Sequence, residues 1–313
     1  MKKIVFLLTI GSVLLGCRKN ENDTIEGPSL FDVYGEFSLL SDLESSTIDV
    51  DFENDETVFF TCDLSKIVNW KLEITGETSG ATKIITGTSK NLDNQNALWD
   101  GSTTNFPMFR SETCQVILTF ENELDTLYTE VNVTNPKTNE GFLISDFENG
   151  WNGGWTTFVQ SGADMDFSIK SDLTAPEANS YYNMAGEVNW DWLIGLIDFN
   201  ATAYDGASTF PLTDNADNLY FNALVYGDGS LPNSRILFRF NEDDNDEFGY
   251  EIPINWDGWK LVSFKYNELT GAGLHNSNNI TKVSILHLAD PSSGYAKSGV
   301  DYLIFTENAP INP

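Results

Sequence analysis

The chain has 313 residues, 41% of them hydrophobic and 13% aromatic, a composition that supports packed cores rather than disorder. Its 47 acidic residues against 17 basic ones leave a formal charge of −30. That balance excludes nucleic acid as a partner, because phosphate binding needs clustered Lys and Arg. It also disfavours polyanionic ligands unless a metal intervenes; otherwise the charge simply solvates the surface.

The first element is a targeting segment. Lys2 and Lys3 precede an apolar run from Ile4 to Leu15, too short to span a bilayer comfortably but suited to a signal-peptide core. The run ends in Leu14-Leu15-Gly16-Cys17, which resembles the lipobox of bacterial lipoproteins. The resemblance implies that residues 1–16 are removed and that Cys17 is lipidated. Arg18, not an inner-membrane-retaining Asp, follows it, so the anchor is expected in the outer membrane. Residues 17–27 are polar without an apolar period and read as a flexible tether.

Residues 28–135 read as a first β domain. "VFFTC" (Val58–Cys62), "NWKLEI" (Asn69–Ile74) and "CQVILTF" (Cys114–Phe120) each alternate, and Cys62, Trp70 and Cys114 all fall on apolar faces. The order Cys, Trp, Cys resembles an immunoglobulin-like sandwich, here of the looser PKD type, although Glu112 stands where antibody domains carry Tyr. The resemblance implies a Cys62–Cys114 disulfide, with two buried free thiols as the alternative. A Pro136-centred linker over 136–140 follows.

Residues 141–313 carry six of the eight Trp. Nine alternating segments are legible: "GFLISDFE", "NSYYNMAG", "NWDWLIGLIDF", "DNLYFNALVYG", "SRILFRFN", "DEFGYEIPI", "GWKLVSFKY", "ITKVSILHLA" and "VDYLIFTE". Nine strands without a helix predict a jelly-roll sandwich. The expected fold class is therefore all-β, an Ig/PKD-like sandwich followed by a larger jelly roll. The opening D-F-E strand and closing V-D-Y strand resemble galactose-binding-like carbohydrate-binding modules. The resemblance implies a structural calcium held by Asp146, Glu148 and Asp301, since a hard cation takes oxygen ligands; solvated strand-end acids are the alternative. The run "NEDDNDEFG" (Asn241–Gly249) reads instead as a solvated hairpin tip.

Sugars stack apolar C–H faces on indoles and need polar groups around them. Trp151 and Trp155, flanking Gly153-Gly154, are expected to be exposed, and Trp259 to be core. In the third segment Leu193, Ile197 and Phe199 suffice as a core face. Trp190 and Trp192 then face a groove with Arg235 and Arg239; burial of both Trp is the competing reading.

The layout as a whole resembles the surface glycan-binding lipoproteins of Bacteroidota. It implies a lipid-anchored, non-catalytic protein that captures a neutral polysaccharide, a β-1,3-glucan such as laminarin, for an outer-membrane transporter complex. Two rivals stand beside it. A jelly-roll glycoside hydrolase is opposed by the absence of an E-x-D-x-x-E strand and of any G-x-S-x-G arrangement, with His275 and His287 the only histidines. An adhesin or structural lipoprotein would need no Trp cleft.

Overall fold

Period-2 alternation governs the chain. In the computed structural model the described residues, 34–171, 175–187, 193–231, 233–243, 246–271, 273–289 and 294–313, form nineteen strands and four 3-10 turns. The leader, Cys17 and its tether lie outside the described residues, as do Trp190 and Trp192.

The N-terminal sheet contains β1 (Glu44–Ser45), β2 (Asp49–Asp51), β3 (Val58–Gly76), β4 (Thr82–Leu92), β5 (Leu98–Trp99), β6 (Glu112–Phe120) and β7 (Thr126–Asn135). They follow the order β1-β3-β6-β7-β2, with β4 and β5 also on β3. The nineteen-residue β3 is the spine. Its first half carries β1 and β5, and its second half runs between β4 and β6, with the register broken between Asp63 and Val68. Val58, Phe60, Trp70, Leu72 and Ile74 are buried in one core with Trp99 and Val116. A side chain at Gly87 would meet the Trp70 indole at 2.2 Å, so only glycine lets that ring lie flat on β4.

The expected disulfide is absent: Cys62 and Cys114 are both buried free thiols. Cys114 pairs with Gly76, which lies fourteen positions beyond Cys62 on the same strand. That separation is tens of ångströms along extended backbone, far outside the roughly 7 Å limit of a disulfide. Alternation correctly put both sulfurs on buried faces, but it carries no information about height along a strand. Burial holds the Cys114 thiol up at about 12.

The C-terminal sandwich contains β8 (Phe142–Ser145), β9 (Thr156–Val159), β10 (Asp164–Ser171), β11 (Ser180–Glu187), β12 (Leu193–Asn200), β13 (Leu219–Gly227), β14 (Arg235–Glu242), β15 (Asp246–Pro253), β16 (Gly258–Lys265), β17 (Thr270–Gly271), β18 (Ile280–Leu288) and β19 (Tyr295–Glu307). One sheet runs β10-β11-β19-β13-β16 with β8 on β19, and the other runs β17-β15-β14-β18-β12-β9. All nine expected strands are present. β9, β10 and β17 were not anticipated, although Met165, Phe167 and Ile169 alternate beneath the Asp residues of β10. Ile197, Phe199, Phe221, Phe238, Phe240 and Phe305 interlock between the sheets.

The two bodies touch. Met108 joins Leu224, Tyr302, Ile304 and Ile311 in a small buried cluster. Thr103 N donates to Pro313 O at 2.7 Å, and Met108 N to Pro176 O at 2.7 Å.

His287 points into the sandwich opposite Ile236, fully buried, and neither ring nitrogen has a partner among the described residues. Burial lowers its pKa to about 4. Below pH 6.5 the unfolded chain takes a proton that the folded chain refuses until about pH 4. The His287 contribution to stability should therefore fall by about 3 kcal/mol as pH drops across that window and be constant above it. His287→Leu should abolish this acid sensitivity in denaturant melts at pH 7, 5.5 and 4.5, with little loss at pH 7 because no hydrogen bond is broken. An unlinked Cys62 and Cys114 in unreduced peptide maps would agree with the thiol geometry.

Candidate functional site

Three places bring functional side chains together. The first lies where β8 ends against β19. A β-bulge interrupts β19: Asp301 pairs with Leu224 and Ile304 with Asn222, leaving one residue extra. Val300, Leu303 and Phe305 still reach the inner core, while Tyr302 and Ile304 join the outer cluster. The bulge thus puts Asp301 and Tyr302 on the same outward side, with Tyr302 at φ +47°. Phe147 is also left-handed at φ +58°, a rare conformation for a bulky residue. Its ring enters the core and stacks on Tyr182 at 5.7 Å, which turns its neighbours Asp146 and Glu148 away from the core together.

The acids are held by backbone. Asp146 Oδ1 accepts from Glu148 N at 3.1 Å, and Asp301 Oδ1 from Tyr302 N at 2.7 Å. Glu148 Oε1 accepts from Asn179 N at 2.7 Å and Ser180 N at 2.5 Å. A fourth acid, Glu177, joins them, brought in by a segment with no periodic signal in the sequence. Asp301 is fully buried, and its Oδ2 and the buried Oε2 of Glu177 have no partner among the described residues. Burial, then the Glu177 charge, pushes the Asp301 carboxyl well above the usual range. Burial, then Asp146 and Glu148, raises Glu177 to about 7, opposed by Arg110.

A buried carboxyl oxygen without a donor is completed either by a proton, the direction in which burial pushes Asp301, or by a cation. The donors are all hard oxygens, which fits calcium in chemistry. Among the described residues no three His, Cys, Asp or Glu side chains stand placed to hold a metal ion as they lie, so the acids would have to draw together to bind one. Asp146, Glu148 and Asp301, with Glu177 added, are the residues that would hold it.

The second place is the outward face of the β9–β17 sheet. In β14 Ile236, Phe238 and Phe240 are buried, so Arg235, Leu237, Arg239 and Asn241 face outward. Strand pairing aligns Glu251, Leu237, Leu286, Leu196 and Phe158 in one row across five strands. The row is roughly 19 Å long at about 4.8 Å per strand. The neighbouring row brings Arg239, Ser284 and Asp198 together, and Ser284 Oγ donates to Asp198 Oδ1 at 2.5 Å. Every cation named on this face has an acidic mate: Arg235–Glu251 at 2.8 Å, Arg239–Glu247 at 3.4 Å and Lys282–Asp198 at 3.8 Å. The guanidinium of Arg239 keeps a buried Nε with no partner among the described residues.

The third place is the Gly-rich loop after β8. Trp151 is exposed and lines a pocket of about 490 Å³ with Asp146, Asn149 and Tyr204. Trp155 corrects the expectation of exposure. It is buried against Phe199 at 5.1 Å, and its Nε1 donates to Tyr204 Oη at 3.2 Å. A Cβ on Gly154 would meet Ala203 at 2.5 Å, so this glycine marks close packing rather than an open loop. Trp259 is corrected in the opposite sense: half-buried on the outward face, it meets Tyr181 at 5.4 Å and Tyr226 at 5.5 Å. The structure therefore does not place Trp151 and Trp155 with Arg235 and Arg239 in one cleft.

No family model and no curated protein matches the chain. Among solved structures, it is similar to a family 11 carbohydrate-binding module from Clostridium thermocellum in complex with a β-1,3-1,4-mixed-linked tetrasaccharide. Identity is 15%, 56% of this chain and 100% of that one are covered, and the TM-score is 0.39. A non-crystalline-cellulose-specific module, CBM28, matches at 16% identity over 55% of this chain and 97% of that one, with a TM-score of 0.37. An exo-β-agarase matches at 11% identity over 54% of this chain and 25% of that one, with a TM-score of 0.41.

Trp155→Ala should cost about 3–5 kcal/mol in chemical denaturation, as a core cavity does. Trp151→Ala should change stability by no more than about 0.5 kcal/mol.

Proposed function

We propose that this chain is a non-catalytic glycan-binding protein whose C-terminal sandwich captures a neutral polysaccharide on the outward face of the β9–β17 sheet. The observation that supports it is the row of Leu237, Leu196 and Phe158 flanked by Arg239 and Asp198, with Leu286 and Ser284 buried among them. An apolar floor beside a hydrogen-bonding border matches the two kinds of surface a sugar presents. The ion pairs matter equally. Because Arg235, Arg239 and Lys282 each lie beside a carboxylate, the face has donors and acceptors without a large net charge. A neutral chain gains from such a face, whereas a polyanion would meet the acids too.

The finer parts of the proposal extend this reading. Cys17 supplies a lipid anchor to the outer membrane, and the N-terminal body serves as a PKD-like spacer. The ligand is a β-1,3-glucan such as laminarin, passed to an outer-membrane transporter complex. Asp146, Glu148, Asp301 and Glu177 hold a structural calcium that keeps the ends of the sandwich together. Contacts of about 1 kcal/mol each sum to micromolar-to-millimolar affinity, roughly 4–8 kcal/mol, which suits capture followed by release.

Affinity electrophoresis in β-1,3-glucan, mixed-linkage glucan and an acidic glycan tests the function. Wild type should be retarded by a neutral glucan and not by the acidic one. Arg239→Ala should weaken retention by about fivefold, the loss of about one hydrogen bond, while Trp151→Ala should leave it unchanged. Release of reducing sugar from a bound glucan, or the reverse ranking of the two variants, would overturn the reading. For the cation, chelation should lower the Tm of wild type, because an ion held only by the folded state stabilises it. Asp301→Asn should remove that response.

A further inference from the structure

We propose that the cation site is also the clasp between the two bodies: an ion held by Asp146, Glu148, Glu177 and Asp301 fixes the N-terminal sheet onto the C-terminal sandwich through Arg110 and residues 175–180. The inference rests on the calcium reading above and assigns the N-terminal body a part in that site.

The contacts run in one unbroken sequence. Two residues of the N-terminal body reach carbonyls of the sandwich: Arg110 Nη2 donates to Ala175 O at 3.4 Å, and Met108 N to Pro176 O at 2.7 Å. The next residue is Glu177, with its unpartnered Oε2. Two residues further on, the amides of Asn179 and Ser180 donate to Glu148. Six consecutive residues thus connect the N-terminal body, at Ala175 and Pro176, to the acid cluster, at Glu177, Asn179 and Ser180. On the other side of the cluster Tyr302, adjacent to Asp301, accepts at Oη from Asn139 Nδ2 at 3.3 Å, so the segment joining the two bodies is also tied to the bulge.

The charges give this connection its sensitivity. Glu177 lies between the Asp146 and Glu148 carboxylates and the Arg110 guanidinium, and the Arg110 Nε is itself buried without a partner among the described residues. Arg110 does not act on Asp301, whose Oδ2 keeps no partner among the described residues. Without an ion, Glu177 lies against the like charges of Asp146 and Glu148, and the carbonyls that hold Met108 and Arg110 are one and two residues away from it. With an ion, the same residues are drawn together and the acceptors for the N-terminal body are set in place. The apolar part of the junction is small, five buried residues, and interfaces of this kind between bodies of one chain permit relative motion by default. The cation is the strongest attraction available there.

The test is hydrogen–deuterium exchange on the full chain, calcium-loaded and after chelation, with calcium binding measured in parallel by titration calorimetry. Peptides spanning 103–110 and 175–180 should exchange about tenfold faster after chelation, while β14 and β18 stay protected. Arg110→Gln should still bind calcium, yet lose the protection of 103–110 even when loaded. Calcium uptake with no change at 103–110 would overturn the clasp and leave the calcium reading standing. No calcium uptake at all would overturn both. If chelation instead deprotects the whole sandwich, loaded Arg110→Gln decides: wild-type protection at 103–110 would overturn the inference.

Discussion

The bulge at Asp301 is the constraint on which the surrounding structure depends. One extra residue in β19 sends two successive side chains, Asp301 and Tyr302, to the outside of a sheet whose inner face is otherwise continuous. The backbone accepts a left-handed Tyr302 to achieve this. Strain of that sort persists only when neighbouring packing over-determines it, and here Val300 and Leu303 on one side and Ile304 on the other do so. The result is a carboxylate buried with one oxygen lacking a partner, in the middle of the longest strand of the sandwich. A hydrophobic residue there would cost less. The arrangement makes physical sense when positive charge completes it.

From this point the other features follow. The left-handed Phe147 turns Asp146 and Glu148 toward the same side, and Glu148 in turn fastens the start of β11 through two amides. The segment between them carries Glu177 and the carbonyls that receive the N-terminal body. The two bodies therefore meet beside the buried carboxyl oxygens of Asp301 and Glu177 that have no partner among the described residues. Elsewhere the sandwich is closed by ordinary means, with Phe221, Phe238, Phe240 and Phe305 interleaved between the sheets.

The outward face of the β9–β17 sheet obeys a different logic. A chain with a formal charge of −30 still builds one surface on which cations and acids alternate and pair. Isolated surface ion pairs contribute little stability, so the pairing is better understood as setting the local field than as holding the fold. A balanced field beside an apolar floor favours ligands with many hydroxyls and no charge, and separates this face from the acid cluster on the other sheet. In the proposed function the acid cluster orders the framework and this sheet face meets the glycan.

Nine of the twelve strands of the C-terminal half needed only the sequence, because alternation is local: every segment read there became a strand, and Ile197 and Phe199 are core as their spacing required, whereas β9, β10 and β17 escaped it. Asp146, Glu148 and Asp301 were singled out by the resemblance of the first and last strands to carbohydrate-binding modules, and the structure brings the three acids near one another. What alternation conveys is which side of a strand a residue occupies. It does not convey how far along the sheet it sits, nor which loop folds back over it. Cys62 and Cys114 were therefore assigned to the correct buried faces and yet lie far apart along β3. Trp155, in a loop, packs inward against Phe199, and Gly154 lets the loop backbone approach Ala203. Glu177 and Arg110 come from segments without periodicity and are 67 positions apart, so only the tertiary structure could bring them to one site. Local hydrogen-bonding geometry determines the strands, whereas long-range register and loop closure decide which of their side chains meet.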